Sequence, residues 1–233
     1  MSKMEKFAAI WQRAAQRKGG DQALQALLPP PPKAVLEGDD RLLSALSAQI
    51  FKSGFVWRVV DDKWPAFEEA FWGFDPHKLV MMSPEQLDQR MHNPALIRHG
   101  KKMQAVLENA QMILDLAQHH GSFGHWLARW PGDNITGLWG ELKRRGARLG
   151  GNTGPYFLRR VGKDTFLMTG DVTAYLQAHK LIEGSPGSKR SLEQAQRCFN
   201  IWQMESGLPL ASISRVLSCS VGDNRLGRVP MDH

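Results

Sequence analysis

Apolar positions recur at three- and four-residue spacings through nearly the whole chain, and alternation of apolar with polar residues over more than four positions is hard to find. That periodicity predicts an all-α protein. The first helix is expected over about Met4 to Arg17 and the second over Asp21 to Leu28, after which Pro29 to Pro32 cannot continue a helix and form a stiff connector. Asp39 and Asp40 read as the cap of a strongly apolar helix, RLLSALSAQIFKSG. In it Leu42, Leu43, Leu46 and Ile50 make a core stripe and Gly54 closes the C-terminus. WPAFEEAFWGF places Pro65 at an expected first helical position, and SPEQLDQRMH opens on a Ser-Pro-Glu start signal. The longest helix is expected in RHGKKMQAVLENAQMILDLAQHHG, where Val106, Ala110, Ile113 and Leu114 give the core face. Lys101 and Lys102 lie in its first turn and oppose the helix dipole, an arrangement more tolerable if a phosphate neutralises them. FGHWLARW, ITGLWGELKRRG, SLEQAQRCFNIWQMESG and PLASISRVLSC predict further helices, before a polar tail expected to fray. The chain shows no internal repeat.

Composition changes this picture only slightly. With 233 residues, 42% hydrophobic and 23% charged, the chain can bury a full core. Thirty Lys and Arg against 23 Asp and Glu give a formal charge of +7, which favours an anionic partner such as nucleic acid. Cys198 and Cys219 are the only cysteines, so there is no disulfide framework and no CxxC or HExxH spacing to suggest zinc or redox chemistry. No 18-residue apolar run and no signal-peptide pattern occur. A reducing, cytoplasmic setting is expected, with no membrane partner.

The segment with the most chemistry is LGGNTGPYFLRRVGKDTFLMTGDVTAYL. It reads as helix, tight turn, short helix, loop, helix. Glycines permit the backbone of Gly150, Gly151, Asn152, Thr153 and Gly154 to present amides to an outside oxygen, and a helix starting near Pro155 adds its N-terminal dipole. Lys143, Arg144, Arg145 and Arg148 lead into the turn and gather positive charge where a nucleic-acid backbone would lie. A plain helix corner would need the same glycines. Asp171 likewise has two readings, a helix N-cap or first-turn acid, or a carboxylate facing a sugar.

These residues resemble the helix-hairpin-helix DNA glycosylases, in which such a hairpin grips the DNA backbone and an Asp serves N-glycosidic cleavage. FKSGFVWRVVDDKWPAFEEAFWGFDPHKL and LIRHGKKMQAVLENAQ look like the DNA-3-methyladenine glycosylase I branch, with its Gly-hydrophobic-x-Trp helix, Phe-Asp-Pro, and Ile-Arg-His followed by Lys and Asn-Ala. The similarity runs from about Asp39 to Asp171. It implies a two-lobed all-α glycosylase fold: N-terminal helices (1–38) that pack with the C-terminal lobe, a helical lobe over 39–169 ending in the hairpin, and a C-terminal lobe over 170–233. By the same resemblance Gly150, Gly151, Asn152, Thr153 and Gly154 hold phosphate together with Arg148, aided by a monovalent cation on the hairpin carbonyls. Trp57 stacks on an electron-poor base, Gln49 lines the base pocket, Phe55 is the wedge that fills the place of a flipped nucleotide, and Asp171 is the catalytic acid.

Two departures from the branch stand out. Residues Met1 to Asp40 contain no Cys, His or Tyr, so the zinc site of the branch is not expected here. The branch has a pocket Glu five residues before the Gly, and this chain has Gln49, which can hydrogen-bond but cannot pair electrostatically with a cationic base. The implied activity is monofunctional excision of alkylated, 3-methyladenine-like bases from double-stranded DNA by a monomer. Strand-cleaving relatives carry a lysine in the helix after the hairpin, and Pro155 to Val161 has none. The alternatives are a non-catalytic helix-hairpin-helix DNA-binding or damage-recognition protein, and an α-helical interaction protein whose charge is incidental.

Overall fold

The computed structural model describes residues 4–222, all helix and loop with no strand among them, as the periodicity implies. The helices are α1 (Phe7–Lys18), α2 (Asp21–Ala26), α3 (Asp39–Lys52), α4 (Trp57–Ala70), α5 (Pro76–Leu79), α6 (Pro84–His92), α7 (Gly100–His120), α8 (Phe123–Arg129), α9 (Ile135–Arg145), α10 (Thr153–Arg160), α11 (Gly170–Ala178), α12 (Lys189–Ser206) and α13 (Leu210–Ser220). The expected polar tail, from residue 223 on, lies outside the described residues. Internal contacts divide the chain into two units. Of the described residues, the first holds those up to Pro32, Pro131–Thr136 and those from Asp164 on, and the second holds Lys33–Trp130 and Gly137–Lys163.

In the first unit α1 lies along α13, and α11 and α12 pack on α13 as well. Ile10, Trp202, Ile213, Val216 and Leu217 are fully buried here, and Phe166 stacks on Phe199 with ring centres 3.9 Å apart. Each such side chain contributes roughly 1.5–3 kcal/mol by leaving water. Pro209, which precedes α13, has no side chain able to cap it. Asp164 supplies the cap from a distance, its carboxylate accepting from Leu210 N at 2.8 Å and Ala211 N at 3.0 Å.

The second unit is built around α3, which touches α4, α7, α8 and α10 and is buried from Leu42 through Lys52. Two local expectations are corrected here. Asp39 does not cap its own helix. Gly38 precedes α3, and the Asp39 carboxylate instead accepts from Phe123 N (3.0 Å) and Gly124 N (3.3 Å) at the start of α8, a partner 84 residues away in sequence. Pro65 does not open a helix. Helix α4 begins at Trp57 and runs through Pro65, which has no N–H for the Asp61 carbonyl; both residues are exposed, so water can serve that carbonyl. Around it Trp64, Phe67, Phe71 and Phe74 stack in sequence, with interplanar angles of 9–13° between successive rings. The Ser83 signal is fulfilled as a full capping box with Gln86.

Candidate functional site

The hairpin sits in the second unit, where α9 and α10 flank the loop that contains Arg148 to Asn152. Arg148 and Gly151 both have left-handed backbone, φ 60° and 61°. Glycine tolerates this at Gly151, whereas Arg148 adopts it against its intrinsic preference. Gly154 is buried, and a side chain there would press on the Leu149 carbonyl at 3.2 Å. The helix α10 starts at Thr153, two residues before the expected Pro155.

What fixes the loop is a residue the motif reading did not assign. Asn109, fully buried on α7, accepts from Ala147 N at 2.8 Å through Oδ1 and donates to the Ala147 carbonyl at 3.1 Å through Nδ2. Gly146 permits this clamp, since a Cβ there would lie 2.8 Å from Asn109 Oδ1. The only sequence signal was the Asn of the Asn-Ala pair, which carries no local clue to a partner 38 residues on. The charge leading into the hairpin is partly spent within the protein. Arg144 and Arg145 both pair with Glu141, while Lys143 and Arg148 are exposed and make no ion pair among the described residues.

The C-terminal end of α3 forms a second feature of the same unit. Lys102 does not point to an outside phosphate as its place in the first turn of α7 suggested. It is buried and donates through Nζ to the Phe51 carbonyl at 3.1 Å and to the Ser53 carbonyl, acceptors that the end of α3 leaves open. Its ammonium also lies 4.4 Å from the centre of the Phe55 ring, and His99 meets that ring edge-on. Phe55 is thereby held in place while remaining 39% exposed. Trp57 is half-buried, edge-on to Tyr156 at 5.4 Å, with Lys52 Nζ over its ring at 5.3 Å and paired to Asp61 at 2.8 Å. Gln49 lies one turn before Lys52 on α3 and is 5% exposed, so it belongs to no solvated helix face.

Burial, reinforced by the charge of Arg148, lowers the Lys102 ammonium from its ordinary 10.5 to about 8. A neutral amine still has two N–H groups for the two carbonyls. The unfolded chain keeps this proton up to its ordinary value, so between pH 8 and 10.5 the unfolded state binds more protons and stability rises with pH. Urea unfolding of the parent and Lys102→Met is therefore expected to show the parent gaining on the variant from pH 8 to pH 10. A difference independent of pH would show that Lys102 titrates normally.

Asp171 belongs to the first unit, as the second residue of α11. The capping role is filled by Thr169, whose hydroxyl accepts from Val172 N at 3.3 Å. Asp171 is therefore not the N-cap but lies in the first turn of α11, partly exposed, in a place where the helix dipole favours a negative charge. Gly222 approaches its carboxylate closely enough that a Cβ there would lie 3.1 Å from Oδ1. Among the described residues, no group of three or more His, Cys, Asp or Glu side chains could hold a metal ion, and no helix is long and apolar enough to cross a membrane.

Comparison with known proteins gives a consistent result. The sequence profile described as methyladenine glycosylase matches residues 34–179. A DNA-3-methyladenine glycosylase of Haemophilus influenzae is 33% identical over 76 residues, covering 33% of this chain and 41% of that protein. DNA-3-methyladenine glycosylase 1 of Escherichia coli is 31% identical over 72 residues, covering 31% of this chain and 38% of that protein. These alignments therefore span about two-fifths of the curated relatives' length. A crystal structure of a 3-methyladenine DNA glycosylase I variant in complex with 3-methyladenine superposes with a TM-score of 0.51 at 26% identity, covering 67% of this chain and 95% of that one.

Proposed function

This chain belongs to the methyladenine glycosylase family, and from that premise we propose that it is a monofunctional DNA N-glycosylase that excises alkylated, 3-methyladenine-like bases from duplex DNA. The observation that carries the reading is the family match over 34–179, a span that includes the hairpin, Gln49, Trp57 and Asp171. Extruding the nucleotide costs a few kcal/mol of stacking and pairing, least for a damaged base. The hairpin amides and Arg148 hold the backbone phosphates, and Phe55, exposed and braced by Lys102, fills the space the nucleotide leaves. Trp57 and Gln49 meet the flipped base.

Alkylation gives the base a positive charge. When the C1′–N bond breaks, its electron pair leaves with the base, which departs neutral, and the sugar becomes oxocarbenium-like. Asp171 as carboxylate stabilises that cation and orients the water that adds to C1′, and the proton this water releases passes to solvent. The products are the free base and an abasic site. A monovalent cation on the hairpin carbonyls, a monomeric state and a cytoplasmic setting belong to the same proposal. Replacing potassium by lithium at equal ionic strength should weaken duplex binding if the cation takes part.

Two results are expected in DNA-binding and cleavage assays. Arg148→Gln should reduce the slope of log K against log salt by about 0.9, the loss of one phosphate contact. The parent should leave abasic strands intact unless base or a lyase is added, and strand scission by the protein alone would contradict the monofunctional reading. The test of the activity itself is release of free base from methylated duplex DNA. Salt-dependent duplex binding with no release would indicate a non-catalytic DNA-binding protein instead.

A further inference from the structure

We infer that Arg17 is a positioning residue for Asp171, acting through the backbone of Cys219 to Gly222. This rests on the proposed role of Asp171 as the catalytic carboxylate. Both Arg17 and the 219–222 segment lie outside the family match of 34–179.

The geometry is a short relay within the first unit. Arg17, in the last turn of α1, donates from Nε to the Cys219 carbonyl at 3.2 Å and from one terminal nitrogen to the carbonyls of Val221 (3.2 Å) and Gly222. These oxygens belong to the end of α13 and the residues just after it, where backbone acceptors lack intrahelical donors and the helix dipole favours a cation. A planar guanidinium can serve three such carbonyls at once, and an ammonium on a flexible stem cannot hold the same fork. The chain it pins is extended at Val221 and left-handed at Gly222, with φ 67°. That turn places Gly222 beside the Asp171 carboxylate, so that a Cβ at this position would lie 3.1 Å from Oδ1. The left-handed φ favours glycine at this position, and its missing side chain leaves Oδ1 uncrowded.

A parallel relay anchors the same helix one turn on. Arg13, four residues before Arg17, forms a two-pronged pair with Glu5 at 2.7 and 2.8 Å, and Glu5 accepts from the Tyr175 hydroxyl at 2.7 Å. Asp171 and Tyr175 are likewise four residues apart and share a face of α11. Two arginines of α1 thus act on two successive turns of α11. Arg13 meets Tyr175 through Glu5 and also directly, its guanidinium 5.8 Å from the ring centre, and Arg17 holds the chain beside Asp171. Without Arg17 the 219–222 backbone loses its pins, and the chain beside the Asp171 carboxylate loosens.

The test compares the parent with Arg17→Met, Arg17→Lys and Gly222→Ala in steady-state base release from methylated duplex DNA. Duplex affinity is measured alongside, together with the 13C resonance of the Asp171 carboxyl group. A misplaced catalytic group can cost up to about 100-fold in rate. Arg17→Met is expected to lower kcat by about 10-fold or more while KM and duplex affinity stay within about twofold. Arg17→Lys should recover part of the loss, and Gly222→Ala should reproduce it from the other side of the contact. All three should move the Asp171 resonance. Parent-like kcat in folded Arg17→Met and Gly222→Ala overturns the inference. If Arg17→Met fails to fold, Arg17→Lys and Gly222→Ala decide by the same criterion. If the parent releases no base, the proposed function fails, and the resonance alone decides: movement in the variants supports the relay, and no movement overturns it.

Discussion

Asp171→Asn is expected to lower the rate of base release by roughly 100- to 1000-fold while leaving duplex affinity unchanged. The magnitude is that of removing one preorganised electrostatic partner from a developing charge. Asparagine fills the same volume and can still orient water, but it cannot neutralise an oxocarbenium-like sugar. Helix α11 should survive the change, because its cap is Thr169 and not Asp171. Retention of the far-ultraviolet circular dichroism and the melting temperature within a few degrees would check this. A melting temperature that falls together with activity would show that Asp171 serves structure first. Unaltered activity in a folded variant would remove the acid from the mechanism.

The second large effect is expected at Asn109, which does not approach DNA in the proposed reading. Asn109→Leu keeps the side-chain volume and removes both hydrogen bonds to Ala147, leaving a part-buried N–H and carbonyl without partners. A stability loss of about 1–3 kcal/mol is expected from urea unfolding. Duplex affinity should fall about tenfold (~1.4 kcal/mol) as the loop before the hairpin turn loosens, with the salt dependence unchanged because no charge is lost. Asn109→Asp separates the two bonds, since a carboxylate still accepts from Ala147 N but cannot donate to the carbonyl. Gly146→Ala attacks the clamp from the loop side and should resemble Asn109→Leu. Affinity retained in both Asn109→Leu and Gly146→Ala would mean that the hairpin holds its shape without the clamp.

Helices were legible in the sequence because their signals are local. The period of α3, the capping box at Ser83 and the turn between α9 and α10 each depend on residues within a few positions. Pro65 misled because proline ordinarily marks a first helical turn, and here it stands inside a helix that starts eight residues earlier at Trp57. Asp39 and Lys102 misled for a different reason. Each has a charge that fits its own helix end poorly or well, yet satisfies another element, α8 for Asp39 and the end of α3 for Lys102. No periodicity can announce such partners.

The candidate site divides along the same line. Its residue types, glycines in a turn, a tryptophan after a glycine, and an acid opening a helix, were visible as motifs. The residues that hold them, Asn109 for the loop, Lys102 for Phe55 and Arg17 for the chain beside Asp171, reach across 38, 47 and 205 positions. Such supports appear only once the chain has folded. Gln49 lies between the two cases. Its departure from the family's Glu was plain in the sequence, but that it is buried and not on a solvated face was not.

The central claim is tested most directly by mass-spectrometric detection of free bases released from methylated duplex DNA by the purified protein. The account predicts 3-methyladenine or a related alkylated base in the supernatant, at a rate that collapses in Asp171→Asn, with the abasic strand left uncut. Tight, salt-dependent duplex binding with no base released by the parent would contradict it, and would leave a member of this family that recognises DNA without cleaving the glycosidic bond.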